Sequence, residues 1–335
     1  MRTFEGLTGA RLREILQKIA GLRVALLGDV CLDAYWVADM TRSELSRETP
    51  HFPLPIVRER FSPGAGGNAA ANLAALGPQS VAVFGEIGDD WRGDCLVRAF
   101  RGLGIAPEGL KKSPGRFTQA YVKPMKVGYA GDEVEDARLD FQNFAQPPAD
   151  TEEFLIEGLA AAAQSLDALC VSDQFAFGCL TPRVRALVCD LADQGLTVVV
   201  DSRDRIAEYR RAWLKPNDLE CSRAAGIADP IEAAHELSRR NGSGVCVTLG
   251  PGGCACLAPG GEPILVPAPP ARPPLDTVGA GDCFLSAFAC GLAAGCQPAE
   301  AAALANLASG VVVQKLGVTG TASPDEILAK HKEAQ

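Results

Sequence analysis

The sequence predicts a three-layer α/β/α fold with a mostly parallel central sheet and a small β-sheet lid. Three observations predict it. Short runs at 24–27, 80–87, 168–172, 197–200 and 245–249 are apolar nearly throughout, as strands are when helices cover both faces of a sheet. Helical patterns lie between them, at 67–76, 91–103, 151–165, 182–194 and 280–294, and such alternation marks a layered α/β chain. Two segments, 34–62 and 116–144, break the rhythm.

The first run, Val24-Ala25-Leu26-Leu27, stops at Gly28-Asp29. Further on, Thr181 is an N-cap with Pro182 at the first helical position, and Gly195 is a stop signal. The segment 34–62 holds Pro50, Pro53 and Pro55 and ends in short extended pieces such as Pro55-Ile56-Val57. In 116–144, Tyr121-Val122-Lys123 and the stretch Ala137 to Phe141 alternate like strands with one wet face. Both segments are expected to pair into a platform over the end of the main sheet. This makes one domain, 1–335, with a core of 1–33, 63–115 and 145–335 and a lid of 34–62 and 116–144.

With 47% hydrophobic and 22% charged residues, the 335-residue chain is too apolar for disorder. Its net charge of −9 repels a phosphate backbone and speaks against nucleic acid as a partner. No apolar run is long enough to span a membrane, and 1–20 lacks a signal-peptide core. Twelve scattered cysteines without a C-x-x-C pair point to reduced thiols in a cytoplasmic protein. Cys254 and Cys256, the close pair, are expected on opposite strand faces. His51, His235 and His331 lie in unrelated contexts and are expected at the surface.

The most specific segment is Asp276-Thr277-Val278-Gly279-Ala280-Gly281-Asp282, followed by the apolar run 283–289. A Gly-Ala-Gly turn opening a helix leaves backbone N–H groups unpaired at the positive end of the dipole, a natural anion pocket. Asp282 falls in the first turn, beside the anion and able to take a proton. No G-x-x-x-x-G-K-[ST] loop or G-x-S-x-G elbow occurs. The loose G-x-G-x-x-A at Gly64 to Ala69 follows proline-rich chain rather than a strand, which disfavours a dinucleotide site.

This D-T-x-G-A-G-D segment resembles the C-terminal signature of the ribokinase-like (PfkB) carbohydrate kinase family. Other segments are similar in order and spacing: Gly28-Asp29-Val30-Cys31-Leu32-Asp33, Gly64-Ala65-Gly66-Gly67-Asn68, Asn217-Asp218-Leu219-Glu220, and Thr248-Leu249-Gly250 with Gly252 and Gly253. Asn306 occupies the place of an adenine-side residue. The resemblance implies ATP and Mg²⁺, with Asp282 as base and Gly279, Ala280 and Gly281 holding the transferred phosphoryl group. It implies Asp33, Gly64, Gly66, Gly67, Asn68 and Arg138 on the sugar, and Asn217, Thr248, Gly250, Gly253 and Asn306 on the nucleotide. Glu220 is implied to hold Mg²⁺ through water.

Within the family the chain looks most like heptose-7-phosphate kinases, through Leu32-Asp33-Ala34-Tyr35-Trp36, Ala137 to Phe141, Ser172-Asp173 and 308–317. Departures are Ala65 in place of a glycine, Gln174-Phe175-Ala176-Phe177 before Gly178, and Asp201-Ser202-Arg203 in place of D-P-K. They fall where the far end of the substrate is read, so the favoured acceptor is D-glycero-D-manno-heptose 7-phosphate, with ribose, fructose or 2-keto-3-deoxygluconate, or a non-catalytic sensor, as alternatives. Arg42, Arg47, Arg116, Lys123 and Arg203 are candidates for a substrate phosphate. Plainer readings stand beside these: Asn72 as a helix cap, Glu220 as an ordinary helix residue, and Arg138 with Asp140 as a cross-strand pair. The nucleotidyltransferase half fused to some relatives is not expected, and the resemblance implies a homodimer through the lid.

Overall fold

The computed structural model describes residues 1–335. Its strands in chain order are β1 (Arg2–Thr3), β2 (Arg23–Gly28), β3 (Val30–Asp39), β4 (Ile56–Ala65), β5 (Ser80–Gly88), β6 (Ile105–Ser113), β7 (Ala120–Val127), β8 (Glu133–Glu135), β9 (Leu139–Phe141), β10 (Ala168–Asp173), β11 (Thr197–Ser202), β12 (Trp213–Leu214), β13 (Val245–Thr248), β14 (Cys254–Leu257) and β15 (Ile264–Val266). The α-helices are α1 (Gly9–Ile19), α2 (Gly66–Ala75), α3 (Trp91–Gly102), α4 (Ala149–Ala163), α5 (Pro182–Asp193), α6 (Asp218–Ala225), α7 (Pro230–Asn241), α8 (Ala280–Ala293), α9 (Pro298–Val312) and α10 (Pro324–Glu333).

Ten strands form the central sheet in the order β1-β15-β14-β13-β12-β11-β10-β2-β5-β6. Pairing is parallel from β12 through β6, while β14 runs antiparallel to both neighbours. Strand periodicity divides the core. Leu26, Cys170 and Val199 point to one side, under α1, α2, α3, α8, α9 and α10. Leu27, Val171 and Val200 point to the other, under α4, α5, α6 and α7. With both faces buried, alternation cannot show in the sequence, and the strands read as unbroken apolar runs. The α/β/α layers are those the sequence predicts.

The lid is a second sheet of five strands, order β4-β3-β7-β8, with β9 also on β7. Its strands are longer than the short extended pieces expected. β3 and β4 pair antiparallel from Val30↔Ala65 outward, so the lid springs from within two residues of the end of β2. The main sheet turns direction there: β5 and β6 lie on one side of β2, and β10 to β13 on the other. Crevices at the carboxyl ends of strands beside such a reversal are the usual ligand sites of open α/β sheets.

Three expectations need correction. Cys254 and Cys256 share a strand face, as residues two apart must, and both contact Cys246 on β13 in the core. Asn72 is not a cap; it is buried in mid-α2 and its amide donates to Asn68 O at 2.9 Å. His331 is buried, its Nε2 2.7 Å from Leu7 O, because α10 packs on the start of the chain. All twelve cysteines are free. No helix is long and apolar enough to cross a membrane.

Candidate active site

Gly279 is the N-cap of α8, at φ +80°, and a Cβ there would stand 2.6 Å from Thr319 Cγ2. Only glycine meets both demands. Asp276 secures the turn, accepting from Val278 N–H at 3.0 Å and from Gly317 N–H at 3.1 Å. Ala280 N–H turns back to Thr277 O. The N–H groups of Gly279, Gly281 and Asp282 make no such bond, so three amides stand free at the helix start. Val278 and Ala280 do not supply one.

Asp282 sits at the third helical position. Its helix packs against α2 through Ser286, whose hydroxyl lies 2.9 Å from both Ala69 O and Asp282 O. That contact brings Asn68, in the first turn of α2, onto the Asp282 carboxylate. Burial pushes this carboxyl up to about 7, and Asp201 and Asp33 push the same way. The Lys215 ammonium and the Asn68 hydrogen bond oppose them. A carboxylate balanced near neutrality is suited to take and release a proton.

Lys215 and Asp201 were not among the sequence candidates. Lys215 follows β12 and is buried, its Nζ 2.9 Å from Asp201 Oδ2 on β11. The available signal was a lysine set between Leu214 and Pro216, two residues before Asn217.

Asp33 is buried on β3, and burial raises its carboxyl while Lys123 and Arg138 hold it down. Gly64 on β4, opposite Cys31, lies beside it, where a Cβ would come within 2.9 Å of Asp33 Cγ. Gly66 and Gly67 open α2 and are buried beneath it. Ala65, between Gly64 and Gly66, holds φ +48° and ψ −128°, a conformation costly for any residue with a side chain.

Of the five candidate bases, two are brought toward Asp33 and Tyr121. Lys123 donates to Tyr35 Oη at 3.2 Å and faces Asp33. Arg203, exposed and in no ion pair, acts through its charge, with Arg138, on Tyr121 and also favours the charged Glu220 carboxylate. Arg138 stacks 4.4 Å over Tyr121 and pairs with Asp140 along one chain segment rather than across strands. Arg116 is spent on buried Glu86, Arg42 on Asp39, and Arg47 stands exposed.

Asn217 and Glu220 form a capping box. Asn217 Oδ1 accepts from Glu220 N–H at 2.8 Å, and Glu220 Oε2 from Asn217 N–H at 2.9 Å. Thr248 bridges to Asn217, and Gly250 follows at φ +56°. Gly253 is buried against Val266 O, and Asn306 donates to Val266 O at 2.9 Å and Pro267 O at 3.2 Å. Both clasp the loop after β15. Burial raises the Glu220 carboxyl, with Asn217 N–H opposing. No cluster of three ligating side chains gathers anywhere. The single Glu220 carboxylate fits Mg²⁺, which keeps its waters and takes one or two carboxylates plus phosphate oxygens.

A lid rooted at the carboxyl edge of a parallel sheet, beside a helix start with free amides and a raised carboxylate, is an arrangement suited to phosphoryl transfer. The pfkB family carbohydrate kinase profile matches residues 57–326, and the chain belongs to that family. It is 34% identical over 323 residues to the bifunctional protein HldE of Citrifermentans bemidjiense, covering 94% of this chain and 64% of that one. With HldE of Geotalea uraniireducens it shares 34% over 318 residues, 92% of this chain and 63% of that one. The chain thus spans just under two thirds of these relatives. The Escherichia coli phosphofructokinase-2 structure in complex with potassium superposes with a TM-score of 0.72 at 21% identity, over 93% of this chain and 99% of that one. Arabidopsis thaliana ribokinase, complexed with ribose and ATP, gives 0.68 at 20% identity over the same shares. The fold is ribokinase-like.

Proposed function

We propose that the chain transfers the γ-phosphoryl group of ATP to a hydroxyl of a sugar phosphate, with D-glycero-D-manno-heptose 7-phosphate as the favoured acceptor. The observation that carries the kinase reading is Asp282, raised to about 7 and set beside three free amides at the start of α8. Asp282 takes the proton of the attacking hydroxyl, whose oxygen bonds to the γ-phosphorus as the bond to the β–γ bridging oxygen breaks. Amides of Gly279, Gly281 and Asp282 face the oxygens that carry the charge. Asn68 orients Asp282, and Asp33 accepts hydrogen bonds from the sugar. Mg²⁺, held through water near Glu220, would neutralise phosphate charge. Thr248, Gly250 and the Asn306-clasped loop border the nucleotide, and the lid closes to exclude water as a competing acceptor.

The phosphate on the acceptor is supported by Lys123, Arg138 and Arg203, gathered around Tyr121 and Asp33. The heptose is supported by the matching segments and by the likeness to the HldE proteins. In this reading the chain is one kinase unit, paired as a homodimer through its lid. An ADP-release assay with Mg²⁺ and ATP over a panel of sugars and sugar phosphates tests it. Turnover highest with the heptose phosphate supports the acceptor; turnover with unphosphorylated sugars alone overturns it, and none at all overturns the kinase.

A further inference from the structure

We infer that Arg60 determines specificity for the acceptor: with Lys123, on the strands either side of Tyr35, it grips a terminal phosphate of the sugar. The inference rests on the kinase reading of the Asp282 site and adds the side chain that selects a phosphorylated acceptor. Three observations carry it.

The first is the face of the lid. Leu32, Ala34, Ala120 and Val122 are buried in the main core, and Phe61 packs against it. Strand alternation turns Asp33, Tyr35, Arg60, Ser62, Tyr121 and Lys123 to the other face. That face looks onto Asp282, whose carboxyl burial raises and the Asp33 charge raises further.

The second is register. Arg60, Tyr35 and Lys123 are paired across β4, β3 and β7, one row further from the lid root than Ser62, Asp33 and Tyr121. Two residues along a strand span roughly 7 Å. An acceptor with hydroxyls on Asp33 therefore meets this row with the end remote from its attacking oxygen. The class it selects is a sugar whose phosphate lies several carbons from the hydroxyl it offers.

The third is donor capacity. The Arg60 guanidinium lies 4.2 Å from the centre of the Tyr35 ring and the Lys123 ammonium 4.8 Å, so the charges are at most about 9 Å apart, a gap one phosphate can span with two of its oxygens. Stacking fixes the guanidinium plane and leaves its five in-plane N–H donors free. Arg60 is exposed, and none of the five has a protein acceptor. Lys123 gives one N–H to Tyr35 Oη at 3.2 Å and keeps two. Burial opposes its charge, yet Asp33, Tyr35 and Glu135 outweigh burial and keep the ammonium charged. Arg138, by contrast, is held by both oxygens of Asp140, at 2.7 and 2.8 Å.

Calorimetry with Mg²⁺ and ADP present, where no phosphoryl transfer occurs, compares D-glycero-D-manno-heptose 7-phosphate with the same heptose lacking its phosphate. The wild type should bind the phosphorylated sugar more tightly. Arg60→Ala should cut that preference roughly 10- to 100-fold, as loss of a charge-assisted hydrogen bond does. Arg60→Lys, which keeps the charge and loses the fork, should restore part of it. A wild type that binds both sugars alike, or a preference unchanged in Arg60→Ala, would overturn the assignment. Equal weakening of both sugars would leave Arg60 a stacking role only and overturn it too. The preference is read without turnover, so failure of every sugar to release ADP counts against the kinase reading alone.

Discussion

Gly178 lies so close to Asp29 that a Cβ at position 178 would overlap its carboxylate. Asp29 accepts from Gln174 N–H at 2.8 Å, Phe175 N–H at 2.7 Å and Cys179 N–H at 2.9 Å. It thereby pins the loop after β10 to the root of the lid. The first aspartate after β2 is thus a clasp for the loop, whereas Asp33, proposed to hold the acceptor, lies out on the lid strand β3. Gly178→Ala should destabilise by roughly 1–3 kcal/mol, as overpacking does. A thermal melt of the variant reads this, and an unchanged midpoint would refute it.

Asp282→Asn should lower kcat by roughly 10²- to 10⁴-fold, the worth of a positioned base, with ADP binding retained. In the wild type, activity should fall as pH drops through about 7, where the carboxyl takes up a proton. Stability runs the other way. The folded value lies above the unfolded 3.8, so this group favours folding most below pH 4 and the benefit is lost as pH rises through 7. Asp282→Asn should therefore raise the melting midpoint at pH 8 more than at pH 4. Equal shifts at both values would contradict the raised carboxyl.

Ala65→Gly should stabilise the chain by about 1 kcal/mol, since a side chain in left-handed backbone costs about 1–2 kcal/mol and glycine returns part of that as unfolded entropy. Chemical denaturation measures it. A loss of stability would mean that the Ala65 methyl contributes packing that outweighs its backbone cost.

Arg203→Ala should raise KM for a phosphorylated acceptor roughly 10- to 100-fold, the worth of a charge-assisted hydrogen bond. KM for ATP should stay unchanged. Equal effects on both substrates would place Arg203 on the nucleotide side, near Glu220.

Strand β4 is an edge of the lid sheet and exposes Ile56 and Val57. An uncovered edge of this kind invites pairing with a second copy. Light scattering should give a dimer, and Ile56→Lys with Val57→Lys a monomer. A monomeric wild type would refute lid pairing.

The layered fold, the glycine turn that opens α8 and the lid strands were legible in the sequence because each rests on local chemistry. Strands buried on both faces are apolar runs, a helix opening on small residues reads as Gly-Ala-Gly, and prolines mark the chain that leaves the core. The capping role of Asn217 and Glu220 also lay in their N-x-x-E spacing. Chain folding alone determined the rest. Lys215 and Asp201 stand fourteen positions apart and meet only because β11 and β12 are neighbours in the sheet. Of five candidate bases, the lid's register brought Lys123 to Asp33, the end of β11 brought Arg203 to Tyr121, and Arg116 was spent on Glu86. His331 was hidden by the docking of α10. Local sequence sets backbone preference and which faces are apolar; the partner of a charge, and the water it loses, depend on residues that only packing brings near.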